Sequence, residues 1–185
     1  MPTTFDKLML QKSDFLNYRD ISQNLDDSRL NPYIFEAQIG PLTQLIGRAL
    51  YTAMQEDYTP NIPIDEGTFT ETRFDDLWFG LTYISNIDEN REVIFRGLKP
   101  ATIYWAYRRL EHNQAINITR FGTRKLADTD FSVDTTTYSH EVAAGSEALQ
   151  YQSEAIDFLN QFRDIYPEWQ HEGLRERSAF KFYKV

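Results

Sequence analysis

Along this chain, apolar residues recur at helical spacing in successive stretches, separated by polar or alternating ones. The first is 31–55, NPYIFEAQIGPLTQLIGRALYTAMQ. Here Leu42, Leu45, Ile46, Ala49 and Ala53 fall at i, i+3, i+4, i+7 and i+11 and line one face of a helix. Ile34, Phe35 and Ala37 give its first turns apolar surface of their own. Asn31 suits an N-cap, and Pro32 then takes the first helical position, where a missing N–H costs nothing. Pro41 removes a backbone donor and its ring presses on the preceding turn, which predicts a kink near Gly40 and Pro41 or two abutting helices. The rest of the chain is expected to be organised around this helix.

Residues 1–30 read as an arm. Leu8, Met9 and Leu10 suit a short strand or a packed turn, and Ser13 with Asp14 can cap a helical turn carrying Phe15, Leu16 and Tyr18. After the first helix, 59–70 (TPNIPIDEGTFT) mixes proline, glycine and acids, the composition of a loop. Thr68 with Glu71, or Thr70 alone, is placed to start a second helix. Its stripe is Phe74, Leu77, Trp78 and Leu81, and it is expected to reach Ile84. A polar break follows at 85–92. From Pro100 through Asn113 a third helix buries Ile103, Ala106, Tyr107 and Leu110, with Tyr104 and Trp105 beside the stripe. Arg108 and Arg109 lie near its end, where cations suit the dipole.

The period then changes. In 117–126 (NITRFGTRKL), Ile118, Phe121 and Leu126 are spaced around Gly122 as in an extended segment or hairpin. The stretch 128–139 (DTDFSVDTTTYS) reads as a long loop or ribbon. A last long helix, from Glu141 or Ser146 to Tyr166, is marked by Ala148, Ala155 and Phe162 with Gln152, Leu159 and Tyr166 between them, and Pro167 stops it. At the end of the sequence SAFKFYKV alternates like a strand, suited to the domain's own sheet or to a neighbour's sheet edge. The fold expected is mainly α: a small bundle of about four helices with a minor β hairpin or extended arm and a short C-terminal strand. It forms a single domain over 1–185, with an arm at 1–30, a helical core at 31–166 carrying an extended loop at 117–140, and a tail at 167–185.

Composition narrows the function. A core of this size is affordable to a chain of 185 residues, and 13 Phe, 11 Tyr and 3 Trp exceed what one core needs, which points to surfaces meant for partners. A net charge of -9 argues against a general nucleic-acid binder. With no cysteine there are no disulfides, thiolate metal sites or cysteine nucleophiles, and His112, His140 and His171 are not at metal-ligand spacing. The opening MPTTFDKLMLQKSDF has neither a basic region nor a long apolar run, so no signal peptide is expected. No window reaches the length of a membrane span, and a cytosol-like compartment is expected. Hydrolase, zinc-protease and phosphate-loop motifs are missing, and the acidic pairs Asp75–Asp76 and Asp88–Glu89 read as solvated charge. No catalytic, cofactor or metal residue is therefore assigned, and the chain is not expected to be an enzyme. Its chemistry reads as recognition. The densest basic cluster is Arg120, Arg124 and Lys125.

The order of these pieces resembles a known family. LNPYIFEAQIGPLTQLIGRALYTAM is similar to the opening helix of the head–tail connector (adaptor, or neck ring) proteins of tailed bacteriophages, preceded as there by an arm, here FLNYRDISQNLDDSR. IYWAYRRL, NITRFGTRKL and the long helix ending DFLNQFRDIYPEW follow in the family's order, so the resemblance covers most of 14–169. It is closest to the connectors of crAss-like and related phages of Bacteroidetes hosts. The resemblance implies a mostly helical virion protein of the neck, assembled in the bacterial cytoplasm. It would form a homo-oligomeric ring, commonly of about twelve subunits, bind the portal and other neck or tail proteins, and continue the DNA channel without binding DNA specifically. The negative charge fits a channel wall to which DNA does not adhere. Arg120, Arg124 and Lys125, with Phe131, Tyr138, Phe180, Phe182 and Tyr183 of the extended segments, are the expected subunit or portal contacts. The alternatives are a tail-completion or tail-terminator ring protein, and a cytosolic interaction module that forms no ring.

Overall fold

The computed structural model describes residues 8–18, 25–60, 67–86, 91–114, 116–119, 122–125 and 133–169, of which 114, 116–119, 122–125 and 133–141 are followed along the backbone alone. The protein is mainly α, as its pattern predicts. Its centre, however, is the third predicted helix and not the first. This helix, labelled α6 (Leu98–Gln114) in chain order, buries Leu98, Ala101, Thr102, Ile103, Tyr104, Ala106, Tyr107 and Leu110. A helix apolar on several sides belongs inside, with neighbours all round. Along one side it packs antiparallel to α7 (Val133–Gln161). The small residues Ala144, Ala148 and Ala155 let the two approach, while Tyr104 stacks on Tyr151 at 5.5 Å.

The arm is part of this core. A short helix, α1 (Lys12–Leu16), follows Leu8, Met9 and Leu10, which are buried without forming a strand. Phe15 is fully covered, and the Asp14 carboxylate meets Lys99 Nζ of α6 at 2.8 Å with both side chains buried.

The first predicted helix is a jointed run. The α2 helix (Asp27–Ala37) starts earlier than Asn31 would have it, because Asp26 accepts from the Ser28 N–H at 2.9 Å and is the true N-cap; Pro32 lies inside. The expected kink at Gly40 and Pro41 is a π turn, Gln38–Leu42. Pro41 cannot donate to the Ala37 carbonyl, so the backbone widens, and the Thr43 N–H and hydroxyl both take the Gln38 carbonyl instead. Two further helices follow, α3 (Thr43–Ile46) and α4 (Arg48–Asp57), separated by Gly47 at φ 82°. That break resets the helical phase. Leu42 and Ile46 are buried as predicted, but beyond Gly47 the buried set is Leu50, Tyr51 and Met54, leaving Ala49 exposed.

The predicted loop at 59–70 is bracketed by a minimal antiparallel pair, β1 (Tyr58–Thr59) with β2 (Thr68–Phe69). Neither Thr68 nor Thr70 caps the next helix, α5 (Thr72–Phe79). Asp57 caps it from a distance, one carboxylate oxygen accepting from the Thr70 and Glu71 N–H groups at 2.8 and 2.9 Å. Phe74, Leu77 and Trp78 are buried as the stripe requires, but the helix stops at Gly80 instead of reaching Ile84. Residues 81–84 form β3 (Leu81–Ile84), antiparallel to β4 (Glu92–Phe95). The two glycines at the base of this hairpin pass each other. A Cβ on Gly80 (φ 92°) would lie 2.2 Å from the Phe95 carbonyl oxygen, and one on Gly97 (φ 83°) 2.3 Å from that of Trp78.

The expected hairpin at 117–126 is present as β5 (Ile116–Thr119) paired with β6 (Gly122–Lys125). The long loop at 128–139 is not: α7 begins at Val133, and 126–132 lie outside the described residues. The same helix ends at Gln161, before Pro167. Past it the chain turns so that the Tyr166 hydroxyl donates to the Arg73 carbonyl at 2.7 Å and Glu168 forms a two-pronged ion pair with the Arg73 guanidinium.

Candidate functional site

Of the contact residues expected from sequence, Arg124 and Lys125 lie on β6, in register with Asn117 and Ile116, and Tyr138 lies on α7. Arg120, Phe131, Phe180, Phe182 and Tyr183 lie outside the described residues, as does the predicted C-terminal strand. Two other surfaces stand out, at opposite ends of the α6–α7 pair.

The first is the β3–β4 hairpin. Alternation puts Tyr83 and Phe95 on its inner face, where Tyr83 meets the rings of Phe158 and Phe162 at 5.7 and 5.3 Å and Phe95 stacks on Phe158 at 4.2 Å. The outer face then carries Thr82, Ile84, Glu92 and Ile94. Its two isoleucines are 60% and 67% exposed. Between hairpin and α7 runs a cleft of about 600 Å3 lined by Arg91, Val93, Glu154, Asp157 and Gln161 among others. Burial pushes the Tyr83 phenol up, and the Asp157 and Glu154 carboxylates add to the effect. Glu154 is held by Arg96, whose guanidinium also lies over the Tyr151 ring at 3.9 Å. That carboxylate keeps Arg96 firmly charged.

The hairpin's two edges differ. Ser85 and Arg91 are bonded through their backbones, so by alternation Ile84, Asn86, Glu92 and Ile94 turn their peptide groups outward. On the β3 side, the Gln161 side chain imitates a strand: its amide donates to the Ile84 carbonyl at 2.7 Å, and its oxygen accepts from the Asn86 N–H at 3.2 Å. On the β4 side, no described residue pairs with Glu92 or Ile94.

The second surface lies on the C-terminal half of α6 against the π turn. A cleft of about 480 Å3 is lined by Glu36, Pro41, Trp105, Arg108, Arg109 and His112. Ile39 next to it is 48% exposed. Arg109 pairs with Glu36, while the Arg108 guanidinium lies across Gly145, where a Cβ would be 3.3 Å away. Among the described residues, Arg108 and Arg109 stand against Glu36 here, while at the hairpin end Glu92, Glu154 and Asp157 stand against Arg91 and Arg96. This end is therefore the more basic and aromatic, and the hairpin end the more acidic and aliphatic. From Phe95 to Arg109 the helical rise puts the two ends roughly 20 Å apart.

Sequence reasoning noticed Trp105, Arg108 and Arg109 but missed the hairpin. Leu81 and Ile84 continue the spacing of Phe74 and Leu77, so the strand looked like more helix. Gly80 was the available signal.

Around these surfaces, the residues that carry the bacteriophage resemblance have structural tasks. Ala37 and Gln38 are fully buried at the π turn, and the Gln38 side-chain oxygen accepts from the Met9 N–H at 3.2 Å, holding the arm. Gly47 makes the second joint, and Leu50 and Tyr51 are buried after it. Among the described residues, no group of three or more His, Cys, Asp or Glu side chains is placed to hold a metal ion, and no helix is long and apolar enough to cross a membrane.

A family model matches residues 42–178, well over half of the chain. No curated protein and no solved structure matches. The chain belongs to the family of unknown function DUF6712.

Proposed function

We propose that this protein is a head–tail connector subunit of a tailed bacteriophage, a structural and non-catalytic component of a ring below the portal. The observation that carries the reading is the pair of unlike surfaces at opposite ends of α6 and α7. A ring of identical subunits uses heterologous contacts, so one subunit must present two different, mutually complementary faces. An aliphatic, acidic hairpin at one end and a basic, aromatic cleft at the other meet that requirement. Charge then complements across a head-to-tail joint, where it sets register and partner choice more than affinity. The order of sequence segments shared with connector proteins supports the same reading, and the jointed α2–α4 run, anchored by buried Ile34, Leu42 and Ile46, backs the basic face.

The test is negative-stain imaging of the purified protein, alone and mixed with a portal protein from the same bacteriophage. The reading expects rings seated on the portal. Rings that ignore the portal but cap tail tubes would move the protein to the tail side, and particles that stay monomeric with both partners would overturn it.

A further inference from the structure

The β3–β4 hairpin keeps one edge open, and the chain carries a second small hairpin that suits it. We infer that β6 of a neighbouring copy pairs with β4, so that the two hairpins join into one four-stranded sheet across the subunit joint. The inference rests on the head-to-tail reading above and says how its two ends are locked.

Glu92 and Ile94 turn their peptide N–H and C=O groups outward, and no described residue pairs with them. Ile94 is also 67% exposed. The opposite edge is taken, because the Gln161 side chain occupies it at Ile84 and Asn86. Unpaired backbone groups along an edge specify the chemistry of what covers them, which is another extended backbone.

The β5–β6 hairpin supplies such a backbone at the fitting end of the molecule. It begins at Ile116, just past the last residue of α6, Gln114, and so continues from the end of α6 that carries Arg108, Arg109 and His112. In a head-to-tail arrangement this is the end that meets the next subunit's β3–β4 hairpin. Among the described strands β6 pairs with β5 alone, so its second edge is also unoccupied by any of them. Strands β4 and β6 are both four residues long and match without overhang. Within one subunit the 17 residues of α6 put the start of β5 roughly 25 Å from the end of β4, so the two edges meet only across a joint.

Charge selects this pairing over its alternatives. The segment 116–125 contains Arg120, Arg124 and Lys125 and no acid. The β4 strand carries Glu92, and Glu154 and Asp157 line the cleft between its hairpin and α7. Copies that each carry a net charge of -9 repel one another in most approaches, and this one sets a basic hairpin against the more acidic end. A β4–β4 or a β6–β6 pairing would bring like charges together.

The experiment is residue-resolved amide hydrogen exchange on the full chain, with monomeric and assembled fractions separated by size, alone and with a portal protein from the same bacteriophage. In the assembled fraction the Glu92 and Ile94 amides are expected to exchange at least about tenfold more slowly than in the monomer, and alternate amides of β6 to slow with them. Val93, in register with Tyr83 and turned toward β3, is the internal control and stays protected in both. Assemblies in which Glu92 and Ile94 exchange as in the monomer would overturn the inference and leave the head-to-tail joint standing. Slowing at Glu92 and Ile94 without any change in β6 would seat another segment on the edge and overturn the assignment to β6. A chain that never assembles, with or without the portal, would overturn the joint and this pairing together. Arg124→Glu with Lys125→Glu gives an independent check. This variant is expected to keep its helical circular dichroism and to need at least about tenfold more protein for half-assembly. Half-assembly at the wild-type concentration would contradict the inference.

Discussion

The jointed α2–α4 run and the β3–β4 hairpin both depart from regular structure, yet they treat the departure in opposite ways. At the π turn the displaced carbonyl is taken up by Thr43, Gln38 reaches back to the arm, and Gln38 and Leu42 are fully buried. At the hairpin one edge is satisfied by Gln161, while the other edge and the outer isoleucines face outward. Irregular backbone that is closed on itself serves the fold. Irregular backbone left open marks where the molecule meets something else.

The sharpest way to break the closed side is through its buried ion pair. Lys99→Ala leaves the Asp14 carboxylate buried without its cation, and such single removals cost about 3–5 kcal/mol. The expected outcome is a large fall in the urea midpoint together with loss of the arm, read as new protease sensitivity between Leu8 and Leu16. At the base of the hairpin, Gly80→Ala meets both a backbone conformation that L residues avoid and the Phe95 carbonyl 2.2 Å away. A loss of about 3 kcal/mol is expected by the same measurement.

Smaller effects separate the two regions further. Arg73 holds the Glu168 carboxyl below its usual value of 4.5, chiefly through their hydrogen bonds. A depressed folded-state pKa stabilises the protein above pH 4.5, and this contribution is lost as pH falls through the folded value. Partly exposed ion pairs of this kind are worth about 0.2–1 kcal/mol. Denaturation across pH 3–6 should show that decline, and Arg73→Gln should flatten it. Gln161→Ala is expected to cost less, about 0.5–1 kcal/mol. Its signature is local: the Asn86 amide should exchange faster while the buried joint is unchanged.

Much of the helical part of this fold was legible in the sequence. The stripe of Phe74, Leu77 and Trp78 and that of Ile103, Ala106, Tyr107 and Leu110 are buried as read, and Pro41 marks its joint. What escaped was controlled by residues whose effect is not periodic. Gly47 resets the helical phase without altering the apolar spacing, and Gly80 ends a helix in the middle of a stripe that seems to continue. Asp57 caps α5 through space, which no local motif announces. Thr, Asp and Ser at 133–139 suggested a loop, yet that stretch is the start of α7, where such residues are tolerated as part of a long helix. The candidate surfaces were less legible: Arg108 and Arg109 read as charge suited to a helix end, and Ile84 and Ile94 were hidden by the misread strand.

The central claim, that the hairpin end and the basic cleft are two halves of one head-to-tail joint, is tested most directly by mixing two variants. One carries Ile84→Asp with Ile94→Asp, the other Arg108→Glu with Arg109→Glu, and circular dichroism verifies that both remain helical. Mass is then read by light scattering for the wild type, each variant and their mixture. The account predicts assemblies of the wild type, monomers of each variant alone, and one-to-one dimers in the mixture, because each variant keeps one intact face. Large assemblies from either variant alone, or a mixture that stays monomeric while the wild type assembles, would contradict it.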